Sequence, residues 1–287
     1  MAGMSRICHL ASLSIGAADP AGTAAVKELL TSLRLSFVAA ARFLAIVTGL
    51  FVAVVLIVLL VLRFIDPPMS AVMLRDAWRG ARVEQQWVPL ERISPELVRA
   101  VISSEDARFC SHWGIDIREL NRALRKAGRE GLGQARGAST LTMQVAKNLF
   151  LWTDRSVLRK GLELVLTPLI ELAWSKRRIV EVYLNVAQWG HGVFGAEAAA
   201  RRYFNKGADE LDAREASLLA ASLPAPGRRR PADAGPRTRS IAARVRSRMA
   251  SPYVDYGCVL GREEAMFPGD PPSLAQFKAG NHPDTRL

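Results

Sequence analysis

Glu105-Asp106-Ala107-Arg108-Phe109-Cys110-Ser111-His112-Trp113-Gly114 and, further along, Gly137-Ala138-Ser139-Thr140-Leu141-Thr142-Met143-Gln144-Val145-Ala146-Lys147-Asn148 decide how this chain is read. The first block begins where a helix ends. Ser94-Pro95-Glu96 supply an N-cap, a proline at the first helical position and an acid that complements the helix dipole. Leu97, Val98, Val101 and Ile102 then recur at helical spacing, and Glu105 extends their face to the edge of an apolar core. Partial desolvation there is expected to raise its pKa towards the range useful for proton transfer. In the second block Ser139 is the expected N-cap after Gly137. Leu141, Val145 and Leu149 form an apolar stripe on the following helix, with Thr140, Gln144, Lys147 and Asn148 on its other face.

Taken singly, these features have ordinary explanations: a Glu beside Arg108 can be a salt bridge, and a polar helix face can simply be solvated. Their order says more. Arg159-Lys160-Gly161-Leu162-Glu163, then Lys176-Arg177-Arg178-Ile179-Val180-Glu181-Val182-Tyr183-Leu184-Asn185, then Arg202-Tyr203-Phe204-Asn205-Lys206 follow in sequence. Together the five blocks, within residues 90–224, resemble the five motifs of the peptidoglycan glycosyltransferases of family 51, the biosynthetic transglycosylases that polymerise lipid II.

The resemblance implies a mainly α, lysozyme-like glycosyltransferase domain behind one N-terminal transmembrane helix. It casts Glu105 as the general base that takes the proton from the 4-hydroxyl of the incoming lipid II GlcNAc. That hydroxyl attacks C1 of the donor MurNAc with inversion and expels undecaprenyl diphosphate. Glu163 is implied as the second catalytic acid, close to the leaving diphosphate, where it orients a divalent cation or the basic side chains. Asp106 and His112 are implied as a supporting hydrogen-bond shell at the substrate site. Ser139, Thr140, Gln144, Lys147 and Asn148 match groups that hold sugar and diphosphate at a helix N-terminus. Arg155 and Lys160 are natural diphosphate partners, one a bidentate fork and the other a point charge. No tightly bound cofactor is expected; a divalent cation, magnesium or manganese, is expected only at the diphosphate.

Departures from the motifs limit the carry-over. Ala138 replaces a second glycine, and Met143 replaces a glutamine common in the family, so Met143 is not counted as a site residue. The fourth block reads as a packing helix through Ile179, Val182, Tyr183 and Val186. Gln188-Trp189-Gly190-His191-Gly192-Val193-Phe194-Gly195 reads as a loop shaping a sugar groove. Asn205 stands where the family has glycine and is suited to a left-handed turn. Leu158, Leu162, Val165 and Leu166 are expected as the apolar run beneath the charged face of Arg155, Arg159 and Glu163. Leu149, Phe150, Leu151 and Trp152 form a cluster in which Trp152 is the candidate membrane-facing residue.

Residues 43–62 carry no charge and are long enough to cross a hydrocarbon core, so they are expected as a transmembrane helix or uncleaved anchor. Residues 1–42 are then a cytoplasmic segment, 63–89 a juxtamembrane linker, 90–250 the glycosyltransferase domain and 251–287 a tail. Basic residues flank both ends of the span, so charge does not set the orientation. The resemblance places the catalytic domain in the periplasm at the inner membrane. No Ser-x-x-Lys or Lys-Thr-Gly is present, so the chain is expected to be monofunctional, without a penicillin-binding transpeptidase.

The formal charge is +12, of which +9 lies beyond residue 63. Such a domain suits anionic headgroups or polyanionic precursors, and a chain tethered outside the cytoplasm has little access to nucleic acid. The implied partners are lipid II, the growing glycan strand, the membrane and, as candidates, cell-wall synthesis or division proteins. Cys110 and Cys258 could pair only if the fold joins them, and no structural disulfide is expected. The histidines lack metal-type spacing, and a Cys110–His112 hydrolase is disfavoured because side chains two apart on one segment diverge. Two alternatives remain open: a lysozyme-like lytic enzyme, since one essential Glu in a groove also suits glycan cleavage, and a non-catalytic membrane-tethered scaffold.

Overall fold

The computed structural model describes residues 20–130, 139–154 and 156–261. The chain divides into two units, residues 1–57 and 58–287. The first is dominated by helix α1 (Pro20–Leu62), whose apolar side chains, Phe43, Leu50 and Ile57 among them, are exposed along its length. The stretch apolar enough to cross a membrane begins at Leu30 and includes Arg34 and Arg42, so it is longer than the expected 43–62. Alanine and leucine, both strong helix formers, carry the helix N-terminally past the point where hydrophobicity alone would end it.

The second unit is mainly helical. It contains α2 (Ala71–Trp78), α3 (Pro95–Glu105), α4 (Ile117–Glu130), α5 (Leu141–Phe150), α6 (Val157–Ala173), α7 (Lys176–Val186), α8 (Ala196–Phe204), α9 (Ala213–Ser222) and α10 (Pro236–Met249). Helix α3 lies at its centre, with Leu97, Val98, Ala100, Val101 and Ile102 fully buried. The expected start signal operates: Ser94 Oγ accepts the Glu96 N–H at 3.2 Å, Pro95 occupies the first turn, and the same hydroxyl donates to Leu211 O at 2.6 Å. Asn205 takes the left-handed conformation expected of it, with φ 55°.

Three short strands, β1 (Glu84–Gln85), β2 (Gln188–Gly190) and β3 (Val193–Phe194), form a sheet in the order β1-β3-β2. Sequence periodicity had suggested helices alone, because strands of two or three residues are too short for alternation to register. The 188–195 segment is therefore a core hairpin and not a groove loop: Trp189 and Phe194 are fully buried. Gly192 makes its close pairing possible. Its φ is +71°, and a side chain there would run into Arg82 O, just where Glu84 N–H donates to Gly192 O at 2.7 Å.

Residues 63–89 are also more than a linker, since α2 buries Val72 and Met73. At the foot of this unit Trp174 Nε1 donates to Leu59 O at 2.7 Å. Arg178 donates to Leu62 O and Ile65 O and pairs with Asp66 and Glu181. Helix α7 is tied to the segment before it by Asn185, whose Oδ1 accepts the Val88 N–H and whose Nδ2 donates to Val88 O, both at 2.9 Å.

Replacing Asn185 by Ala strands two buried backbone groups of Val88. It is expected to lower unfolding stability by about 2 to 4 kcal/mol, read from the shift in denaturant midpoint at unchanged slope.

Candidate active site

Helix α3 ends at Glu105, and the next residue joins three segments. Asp106 is its C-cap and is buried. His112 Nε2 lies 2.9 Å from Asp106 Oδ1, while Oδ2 accepts the Leu141 N–H, the first of α5, at 3.0 Å. Both carboxylate oxygens are thus engaged within the protein. Asp106 thereby ties the loop that carries His112 to the start of α5. Gly114 follows with φ +74°, and a side chain there would meet Thr167 and Glu171 of α6.

The N-cap of α5 is Thr140 and not Ser139. Thr140 Oγ1 accepts the Met143 N–H at 3.3 Å and donates to Gly114 O at 2.5 Å, so its side chain is buried instead of lying on a solvated face. The shift of one residue frees the Ser139 hydroxyl, which accepts a hydrogen bond from Lys160 Nζ at 2.9 Å.

With α5 fixed in this way, Gln144 faces the end of α3. Its Nε2 donates to Glu105 Oε2 at 2.8 Å, and its Oε1 accepts from the Tyr183 hydroxyl at 3.2 Å. This leaves Glu105 Oε1 without a hydrogen-bond partner among the described residues. Desolvation raises the Glu105 pKa above the usual carboxylate range, and Asp106 adds to the rise. The Gln144 hydrogen bond and the charges of Lys147 and Arg229 oppose it. Tyr183 is pushed far above the ordinary phenol value, first by burial and then by Glu105, so it stays a neutral donor.

One turn further along α5, the Lys147 ammonium makes no hydrogen bond to another described residue. Burial, and then the nearby Arg159, depress its pKa. Lys160 is pushed down to about 8 by burial, Arg159 and Lys147. The Glu163 carboxylate, 2.9 Å from Lys160 Nζ, works in the opposite direction. Glu163 is itself buried and also pairs with Arg159. Arg159 and Lys160 therefore share the Glu163 carboxylate, and Lys147 lies between these cations and the candidate base. Asn148 is half-buried on the same helix. Arg155, expected in this cluster, lies outside the described residues.

Helix α6 reverses the polarity expected of it. Its inward face carries Glu163, Thr167, Ile170 and Glu171, and the buried acids are compensated. Glu171 Oε1 accepts from Thr142 Oγ1 at 2.5 Å and from Lys176 Nζ at 2.8 Å, and Lys176 Nζ also donates to His112 O. Its outward face carries Leu158, Val165 and Leu172, seven residues apart and 69%, 61% and 74% exposed. The Leu149–Trp152 cluster is instead mostly interior, with Leu149 and Leu151 buried and only Trp152 markedly exposed.

A cavity of about 330 Å³ opens beside Glu105, lined by Ser103, Ser104, Arg108, Arg122 and Arg248 among others. Arg248 from α10 and Arg229, whose Nη1 donates to Ala221 O at 2.8 Å, were not legible as site residues. They stand in basic runs with no local pattern, and only the tertiary fold brings them to Glu105. The second correction concerns the cysteines. Cys110, in the turn Phe109–Ser111, is disulfide-bonded to Cys258, with the two Cα atoms 5.6 Å apart. Their separation of 148 residues gave the sequence no means of foreseeing it.

Comparison with known proteins agrees with the geometry. The family model described as Transglycosylase matches residues 73–250. The chain is 52% identical over 211 residues to a biosynthetic peptidoglycan transglycosylase of Rhodospirillum centenum, covering 73% of this chain and 90% of that protein. It is 54% identical over 175 residues to one from Pseudomonas entomophila, covering 59% and 73%. With one from Aeromonas hydrophila the identity is 50% over 192 residues, covering 66% and 81%.

The Glu105 carboxyl is expected to titrate above the ordinary carboxylate range in carbon-13 NMR. Gln144→Leu removes a donor that favours the charged form, so the titration should move further up. A downward move would show that Gln144 does not stabilise the carboxylate.

Proposed function

We infer the reaction from the premise that this chain belongs to the transglycosylase family matched over residues 73–250. It is a peptidoglycan glycosyltransferase, an enzyme of glycan polymerisation in cell-wall synthesis, with lipid II as substrate and undecaprenyl diphosphate as leaving group. The roles of its residues are our assignment. Glu105 is the general base: it is oriented through Oε2 by Gln144 and Tyr183, with Oε1 left to accept the acceptor hydroxyl's proton. Its raised pKa makes the carboxylate a stronger base towards the hydroxyl proton, and turnover rises with pH through that value as the base becomes deprotonated.

The observation that carries the transferase reading is the cationic cluster. Among the described residues Lys147, Arg159 and Lys160 are set against two carboxylates, Lys147 near Glu105 and the other two on Glu163, an excess of positive charge suited to a diphosphate and of no use to a hydrolase of uncharged glycan. Glu163 acts by holding Arg159 and Lys160 in place. Arg155 is assigned to the same leaving group on the motif alone. A divalent cation used in turnover would ride on the substrate's diphosphate: among the described residues no three His, Cys, Asp or Glu side chains converge, and Glu163 is already engaged.

The anchor fits α1, which has one stretch long and apolar enough to cross a membrane. We place the catalytic domain in the periplasm at the inner membrane. The Cys110–Cys258 bridge supports this side, because such bonds persist in oxidising compartments. The outward stripe of Leu158, Val165 and Leu172 is the second lipid-facing surface, where lipid-linked substrates would reach the site without leaving the bilayer. Cell-wall synthesis or division proteins remain candidate partners.

Incubating the purified chain with lipid II should yield lengthening polymer and leave isolated sacculi intact. Glu105→Gln should lower polymerisation by about 10²- to 10⁴-fold, and Lys147→Ala by about 10- to 150-fold, for about 1.5 to 3 kcal/mol of charged hydrogen bonding. Muropeptide release from sacculi without polymer would favour the lytic alternative. Substituting Leu158, Val165 and Leu172 together by Ser should weaken binding of the chain, stripped of α1, to lipid vesicles; unchanged flotation would remove the stripe from the membrane.

A further inference from the structure

The family match ends at residue 250, yet the chain continues as part of the wall behind Glu105. Tyr256 is buried, donates its hydroxyl to Met249 O at 3.2 Å, and lies beside the side chain of Ser103, two residues before Glu105 on α3. Burial pushes this phenol up to about 12, so it is neutral at any working pH. Val259 and Leu260 are buried as well, and Val259 O accepts Arg177 Nη1 at 2.8 Å. Between these contacts Cys258 bonds covalently to Cys110. Cys110 lies between Asp106 and His112, the pair whose contact holds the loop after the base. One segment therefore reaches both sides of Glu105-Asp106, with Tyr256 placed beside Ser103 before them and a covalent bond after them.

We propose that residues 251–261, held by the Cys110–Cys258 bridge, are a positioning element for Glu105, and that full turnover requires the bridge intact. This rests on the assignment of Glu105 as general base. Proton transfer has no use for a sulfur, and a bridge serving stability alone need not end inside the loop that carries the base. A base displaced by about 1 Å loses about 10²-fold in rate, and a loosened wall also admits water to a carboxylate whose pKa is raised by desolvation.

The test uses the full chain in detergent with lipid II. Dithiothreitol delivers two electrons and two protons to the bridge, leaving thiols at Cys110 and Cys258 and closing its own cyclic disulfide. Reduction is expected to lower kcat by about 10- to 100-fold with little change in KM, and to shift the acid limb of the pH–rate profile to lower pH. The helical circular dichroism should be retained. Cys258→Ser should show the same rate and profile without reductant and respond no further to it. An unchanged kcat and acid limb in the reduced chain, with Glu105→Gln still inactive, would overturn the positioning role alone. Unfolding on reduction would also overturn it, by making the bridge a matter of global stability. An active Glu105→Gln would remove the base assignment on which the proposal rests.

Discussion

The Asp106 carboxylate is the constraint on which the site depends. It is buried, so each of its oxygens must find a donor or carry the cost of a stranded charge. One is given to His112 and the other to the first N–H of α5. These two bonds set the end of α3 against the start of α5 and thereby bring Gln144 to Glu105 at 2.8 Å. The placement of Thr140 belongs to the same arrangement. Its hydroxyl caps α5 and reaches Gly114 O, which closes the loop that begins at Asp106.

Around this centre the protein buries acids and compensates each, some from their own helix and some from a neighbouring segment. Glu171 is met by Thr142 and Lys176, Glu163 by Arg159 and Lys160, and Glu197 by Arg201 and the Ala208 N–H. Such pairs are weak evidence for stability, because desolvation offsets much of the attraction. They are geometrically demanding, however, and that is what a transfer between two bulky lipid-linked substrates needs. The cost also explains the polarity of α6. Its charged face is turned inward to serve the site, so the apolar residues at 158, 165 and 172 are left outside. An exposed apolar stripe of this kind marks a face suited to meet something apolar outside the protein core.

Much of this was legible from spacing alone. The α3 start, the position of Glu105 at the edge of an apolar face, and the inward stripe of α5 follow from local rules that compete with nothing else. The failures share a cause. Ser139 and Thr140 are both good caps, and only the tertiary contact with Gly114 O decides between them. The inward face of α6 is polar because of partners on α5 and α7, which a periodicity reading cannot know. Arg229, Arg248 and the Cys110–Cys258 bond depend on segments far from the motifs in sequence, and the β1-β3-β2 sheet is too short to leave a pattern.

The roles we propose for Glu105 and Lys147 place opposing demands on the fold. Glu105 must be desolvated enough to hold a proton usefully, yet must give it up again. Lys147 must stay charged while buried next to Arg159, and burial works against it. Neither condition favours folding, so the surrounding structure has to over-determine it. The ties converging on the catalytic loop are of several kinds: the Asp106 carboxylate, the Lys176 ammonium on His112 O, the Tyr256 hydroxyl by Ser103 and the disulfide at Cys110. They come from α5, from α7 and from residues beyond α10. Because the ties come from three separate parts of the chain, no one helix alone sets the position of the loop.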